Sequence, residues 1–255
     1  VTCALCSVPV HTQFATADLV GAIAEGELDP AGDPGWAESG AGSREEYARW
    51  AGHLCGMTCL RMALGADAPS LFELRDGALK YGAYTEDGDG TIRGLVYAPF
   101  AEYVGEVYGR EATVHRHLEV DAIPALLDAG RTVLASVHYG IRHPERPAPG
   151  RGGHLVLVTA RTADRSGLHF HNPSGTDAET RSAVLPMAEF ERFFAGRGGA
   201  CRWREAPALG TGTPGNGSGP GTSGNGSGPG GVAGLRALSV PPIGHAGTFK
   251  GPGQS

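Results

Sequence analysis

"HLCGMTCLRM", from His53 to Met62, carries two cysteines, Cys55 and Cys59, at the head of a helical pattern. Met57, Leu60, Met62 and Leu64 continue an apolar helical run, and Gly56 permits close backbone approach. One turn separates the thiols, so they share a face but not a setting. Cys55 opens the helix, where unpaired N–H groups supply roughly half a unit of positive charge and favour a thiolate. Cys59 lies a turn further in, where that field has faded and packing is expected. Cys55 is therefore the candidate nucleophile and Cys59 a core residue.

A free thiol, with a pKa of about 8.5, is mostly protonated at neutral pH and needs a base near it. "GRGGHLVLVTA" (150–160) supplies one: His154 stands where a glycine-rich loop gives way to an apolar strand, at the rim of a sheet. A third group should hold the imidazole in one tautomer. "HFHNPSG" (169–175) offers Asn172, at the end of the next strand and before a proline turn. Two adjacent antiparallel strands would bring His154 and Asn172 side by side.

Around these blocks the pattern runs helices first and strands second. "FATADLVGAIAEG" (14–26), with Thr16 as N-cap, predicts a short helix, and an acidic Gly/Pro loop follows it. "SREEYARW" (43–50) and "SLFELRDGALKYG" (70–82) each begin with the spacing of a capping box. "IRGLVYAPFAEYVGEVYG" (92–109) predicts a helix broken near Pro99. Strands are expected in "EATVHRHL" (111–118), "RTVLASVHYG" (131–140), "HLVLVTART" (154–162) and "GLHFHNP" (167–173), with a short helix ending at Gly130 between the first two. "PMAEFERFFAG" (186–196) reads as a last helix and "CRWREA" (201–206) as a last strand. A helical half facing an antiparallel sheet is an α+β domain.

Of the 255 residues, 42 are glycine and 18 proline, and many of these fall after residue 208. There "GNGSGPG" occurs twice without a residue able to anchor a core, so 208–231 reads as a flexible linker. The folded domain is then 1–207, and 232–255 is a disordered or docking tail. A net charge of -6 with no basic run excludes nucleic acid as an expected partner. No apolar stretch approaches twenty residues, so no membrane span is expected. The five cysteines do not have the spacing of a disulfide scaffold, which fits a reducing compartment, cytoplasmic by default. Cys3 and Cys6 form a CxxC that is half a zinc site or a redox pair; with no second CxxC, it reads as part of a loose N-terminal segment. His169 and His171 share a strand face as metal ligands would, but lack an acidic or cysteine partner nearby and read as structural. No cofactor and no metal are called for. "HYGIRHPERPAPGRGG" (138–153), with His138 and His143, reads as a mobile loop placed to gate the site or to form an ordinary long hairpin.

"CGMTCLRMAL", "GGHLVLVTA" and "HNPSG", in that order, resemble the Cys, His and Asp/Asn blocks of the C39-like, papain-fold cysteine peptidases. "VPVHTQF" (8–14) resembles the N-terminal segment of that family, so Gln13 inherits an oxyanion role, with His53 or a backbone N–H as alternative donors. The resemblance covers residues 8–205 and implies a papain-like fold, a thioester acyl-enzyme, and a peptide or protein substrate. It resembles the stand-alone branch, since membrane helices and a nucleotide-binding loop are absent from the sequence. Asn172 stands where Asp is commoner, which removes a negative charge from beside the imidazole. Two alternatives share the fold: an acyltransferase or peptide ligase using the same thioester, and a catalytically silent peptide-binding module. The linker would also let the tail reach the active site, making it a candidate substrate.

Overall fold

The helical period of the first half and the apolar runs of the second separate into layers. In the computed structural model, which describes residues 7–202, the first layer holds α1 (Val20–Ala24), α2 (Arg44–Trp50), α3 (Cys55–Leu64), α4 (Leu71–Lys80) and α5 (Tyr97–Tyr108). Cys3, Cys6, the expected linker and the expected tail lie outside the described residues. Ser43 caps α2 by accepting from the Glu46 N–H, and Ser70 with Glu73 completes the reciprocal capping box of α4. The break expected near Pro99 does not occur. Pro99 falls in the first turn of α5, where its missing N–H has no intrahelical partner to lose. Ile92–Arg93 is instead strand β2, paired with β1 (Thr85–Glu86) in a small hairpin.

The main sheet contains β3 (Glu111–His115), β4 (Arg131–Val137), β5 (His154–Arg161), β6 (Gly167–His171), β7 (Ser182–Pro186) and β8 (Phe194–Arg202). Its order is β3-β8-β4-β5-β6-β7, and all neighbours are antiparallel. Short helices α6 (Ile123–Asp128), α7 (Ala178–Arg181) and α8 (Met187–Glu191) fill the connections. The helix expected over 186–196 stops at Glu191, and the last strand begins at Phe194 rather than Cys201. Gly196, Gly198 and Gly199 hide the strand period there. Gly198 is needed because a Cβ there would collide with the Leu134 carbonyl of the neighbouring strand.

Both sheet faces are covered, which explains the near-continuous apolar runs of β4 and β5. Leu134, Leu155, Leu157 and Cys201 join the helical core with Met57, Leu60, Phe72 and Tyr103. Val133, Ala135, Val156, Val158 and Phe170 face the other way, against Ile123, Phe190 and Phe193. Each such buried aliphatic or aromatic side chain contributes roughly 1.5–3 kcal/mol. Inside the helical core the Cys59 thiol, fully buried, donates to the Leu155 carbonyl at 3.7 Å. That contact ties the middle of α3 to the start of β5 and so registers Cys55 against His154.

Candidate active site

Cys55 is the first residue of α3, reached through a 3-10 turn over Ala51–His53. Leu54 at the N-cap offers no side-chain cap, although its carbonyl accepts from the Thr58 N–H at 2.9 Å. The helix therefore presents its first N–H groups without a side-chain acceptor over them. Half-buried, Cys55 opens onto a cleft of about 320 Å³ lined also by His53, Leu95, Tyr97, Ser136, His154 and Arg197.

His154 starts β5 immediately after Gly152 and Gly153, both left-handed at φ +84° and +95°, a conformation that favours glycine. Antiparallel pairing of β5 with β6 brings the next loop alongside, and Asn172 Oδ1 lies 2.8 Å from His154 Nε2. The Ser174 backbone N–H also donates to Asn172 Oδ1, at 3.1 Å. Two donors converging on one amide atom require that atom to be the oxygen, which fixes the Asn172 orientation. His154 therefore carries its hydrogen on Nε2 and keeps the Nδ1 lone pair, which has no hydrogen-bond partner among the described residues.

The network extends beyond the two residues the sequence singled out. Ser174 Oγ lies 3.1 Å from His154 Nε2, donates to Asn172 Oδ1 at 3.3 Å, and accepts from Arg142 Nε at 2.9 Å. His154, Asn172 and Ser174 are all buried. Ser174 lies inside the quoted "HNPSG" block, and Arg142 inside the 138–153 segment, expected either to gate the site or to form an ordinary long hairpin. What sequence lacked was the fold-back that places that loop against the proline turn.

Burial sets the protonation states. It pushes the Cys55 thiol up, while backbone N–H groups of Leu155, Gly56 and Cys55 and the Arg142 charge pull the other way. It pulls His154 down to about 4; the Asn172 hydrogen bond opposes this, and the charges of Arg142 and His138 add to it. Burial thus favours the neutral form of both the thiol and the imidazole that line this cleft. The helix start was expected to favour a thiolate; desolvation outweighs that pull here.

Gln13 is buried, and its Nε2 donates to the Ala51 and Gly52 carbonyls, each at 3.2 Å. Both amide hydrogens are engaged, so Gln13 braces the turn before Cys55, and it is not among the residues lining the cleft. His53, the alternative donor, does line it. Within the 138–153 segment, Ile141 is buried, the His138 N–H donates to the Phe193 carbonyl at 2.8 Å, and His143 Nε2 lies 3.2 Å from Glu25 Oε1. His169 and His171 stack edge to face on the same hairpin. No group of three or more His, Cys, Asp or Glu is arranged to hold a metal ion among the described residues. Nor is any helix among them long and apolar enough to cross a membrane.

Cysteine, histidine and asparagine thus meet at the junction of a helical layer and a six-stranded antiparallel sheet, an α+β arrangement. No protein-family model and no curated protein matches the chain. Among solved structures it is similar to the peptidase domain of Streptococcus ComA, a bifunctional ABC transporter involved in quorum sensing. Identity there is 14%, over 60% of this chain and 93% of that one, with a TM-score of 0.42. A C39-like peptidase from Bacillus anthracis is 10% identical over 60% of this chain and 90% of that one, at a TM-score of 0.41. A double-glycine-motif protease from an AMS/PCAT transporter, in complex with its leader peptide, is 17% identical over 58% and 84%, at 0.33.

Proposed function

We propose that the chain is a C39-like cysteine peptidase that cleaves peptide bonds through Cys55, His154 and Asn172. The observation that carries the reading is the His154 Nε2 to Asn172 Oδ1 bond of 2.8 Å, which leaves Nδ1 for the thiol sharing its cleft. As the Cys55 sulfur attacks the carbonyl carbon, its proton passes to Nδ1. The tetrahedral intermediate collapses with cleavage of the C–N bond, and the leaving amine takes the proton from the imidazolium. Water, deprotonated by His154, then hydrolyses the thioester, releasing the acid and restoring the thiol. Asn172 stabilises the imidazolium through the Nε2–H bond without supplying a negative charge.

The oxyanion is received by backbone N–H groups at the head of α3, with His53 beside them, and Gln13 takes part by holding the 51–52 carbonyls that shape this turn. A nucleophilic thiol works only when reduced, in keeping with a cytoplasmic setting. The test is cleavage of a mixed peptide pool, read by mass spectrometry. Wild type should generate new termini that Cys55→Ala and His154→Ala do not. Equal cleavage by wild type and Cys55→Ala would remove the reading.

A further inference from the structure

The cleft beside Cys55 has no carboxylate in its lining, although the chain carries 27 acidic against 21 basic residues. Its charged or ionisable polar groups are Arg197, His53, His154 and Cys55, with Tyr97 beside them. A second hollow shares Leu95, Tyr97 and Arg197 with the first and adds His115 and Arg116, again with no Asp or Glu. Burial lowers His53 and His154, so the fixed positive charge of this surface comes from its arginines.

The backbone is built to put Arg197 there. In the β4–β8 pairing Ala135 faces Gly198, but Val137 already faces Phe194, so Ala195, Gly196 and Arg197 bulge out of the ladder. Gly196 takes φ +65°, which a side chain would strain. Such bulges re-aim a side chain, here into the cleft. Tyr97 and Ser136 line the same cleft as Arg197. A Cβ at Gly152 would stand 3.1 Å from Arg197 Nη2, so the glycine loop ahead of His154 also makes room for it. Among the described residues no carboxylate forms an ion pair with Arg197, whereas Arg75, Arg131 and Arg161 each have one.

We propose that Arg197 is a specificity-determining residue, receiving the carboxylate of an Asp or Glu side chain close to the bond presented to Cys55. A guanidinium carried on this bulge at the cleft wall, with no carboxylate ion pair among the described residues, suits bidentate recognition of a planar carboxylate. The proposal rests on the peptidase reading in taking the occupant to be a peptide.

The test uses the full chain carrying Cys55→Ala and a random peptide pool amidated at the C-terminus, so that only side chains bring carboxylates. Bound peptides are recovered and sequenced by mass spectrometry. Asp and Glu should be enriched about fivefold over Asn and Gln at one position, as expected for a partly exposed charge pair. Arg197→Met should abolish the enrichment, and Arg197→Lys, which keeps the charge on the same bulge, should retain part of it. Equal recovery of acidic and amide peptides, or enrichment that survives Arg197→Met, would overturn the proposal. If enrichment holds but wild type leaves the enriched peptides uncut, the carboxylate subsite stands and the peptidase reading falls.

Discussion

His169 has a hydroxyl at each ring nitrogen: Thr159 Oγ1 lies 2.7 Å from Nδ1 and Ser182 Oγ 3.0 Å from Nε2. His154, at the open end of the same β5–β6 hairpin, has partners on Nε2 alone, Asn172 at 2.8 Å and Ser174 at 3.1 Å. Both rings are buried, and burial disfavours the charged form of each. They differ in what remains unspent. A ring with both nitrogens bonded is a strut between strands, whereas a ring held by one nitrogen and facing a cleft keeps a lone pair for a proton.

The largest expected effect breaks the comparison directly. His154→Ala should lower kcat/KM for peptide cleavage by roughly a thousandfold or more, because it removes the proposed base. His169→Ala should leave kcat/KM within about threefold and instead cost about 1–3 kcal/mol in urea unfolding, as expected when buried hydroxyls lose their partner. If His169→Ala abolished cleavage while the chain stayed folded, the division of roles would be wrong.

Acid should expose the same difference as stability. The folded pKa of His154 is about 4 against 6.5 for a free imidazole. Below pH 6.5 the unfolded chain takes up a proton that the folded chain does not, so stability falls as pH falls from 6.5 to 4. Above 6.5 both states are neutral and His154 contributes no pH dependence. A fully buried group with this shift accounts for about 3 kcal/mol across the window. His11 and His171, also pulled down to about 4, act in the same direction. Urea unfolding at several pH values should therefore show a slope in this window that is reduced by about one proton in His154→Ala. An unchanged slope would mean that the ring is not held neutral.

Asn172→Asp sharpens the electrostatic side of the comparison. The carboxylate would replace an amide whose Nδ2 is buried without a hydrogen-bond partner among the described residues. It would raise the His154 pKa, so the acid limb of kcat/KM, expected near pH 4 in wild type, should move up by about one pH unit or more. The direction follows because a protonated imidazole cannot accept the thiol proton. A limb that stayed in place would show that Asn172 does not act on His154.

How much of this was legible in the sequence depended on whether the signal was local. Ser70 with Glu73, and the apolar run after Cys55, report on neighbours within a turn, so α3 and α4 were readable. So was the pairing of His154 with Asn172, because one hairpin separates them. Gln13 lies 38 positions from the nearest carbonyl it braces, Ala51, and Arg142 lies 32 from Ser174, and no local period encodes such contacts. The start of strand β8 at Phe194 is hidden in the sequence because its alternation is interrupted by glycines, one of which, Gly198, is required by the Leu134 carbonyl of a strand distant in the chain.

The smallest expected effect sits on the strut. Thr159→Val keeps the side-chain volume but removes the hydroxyl 2.7 Å from His169 Nδ1. A half-buried neutral hydrogen bond of this kind contributes about 1 kcal/mol net, and the loss should appear as a lower urea midpoint with an unchanged m-value. kcat/KM should not move, because Thr159 reaches His154 only through the length of β5, whose backbone pairing with β4 and β6 is intact. The counterpart at the open end is Ser174→Ala, which removes a hydroxyl of the same kind at 3.1 Å from His154 Nε2. It should lower kcat/KM by roughly tenfold through the tautomer and orientation of the ring, the effect of a positioning group. Two hydroxyl deletions, one without kinetic consequence and one with, would locate the working imidazole without touching either histidine.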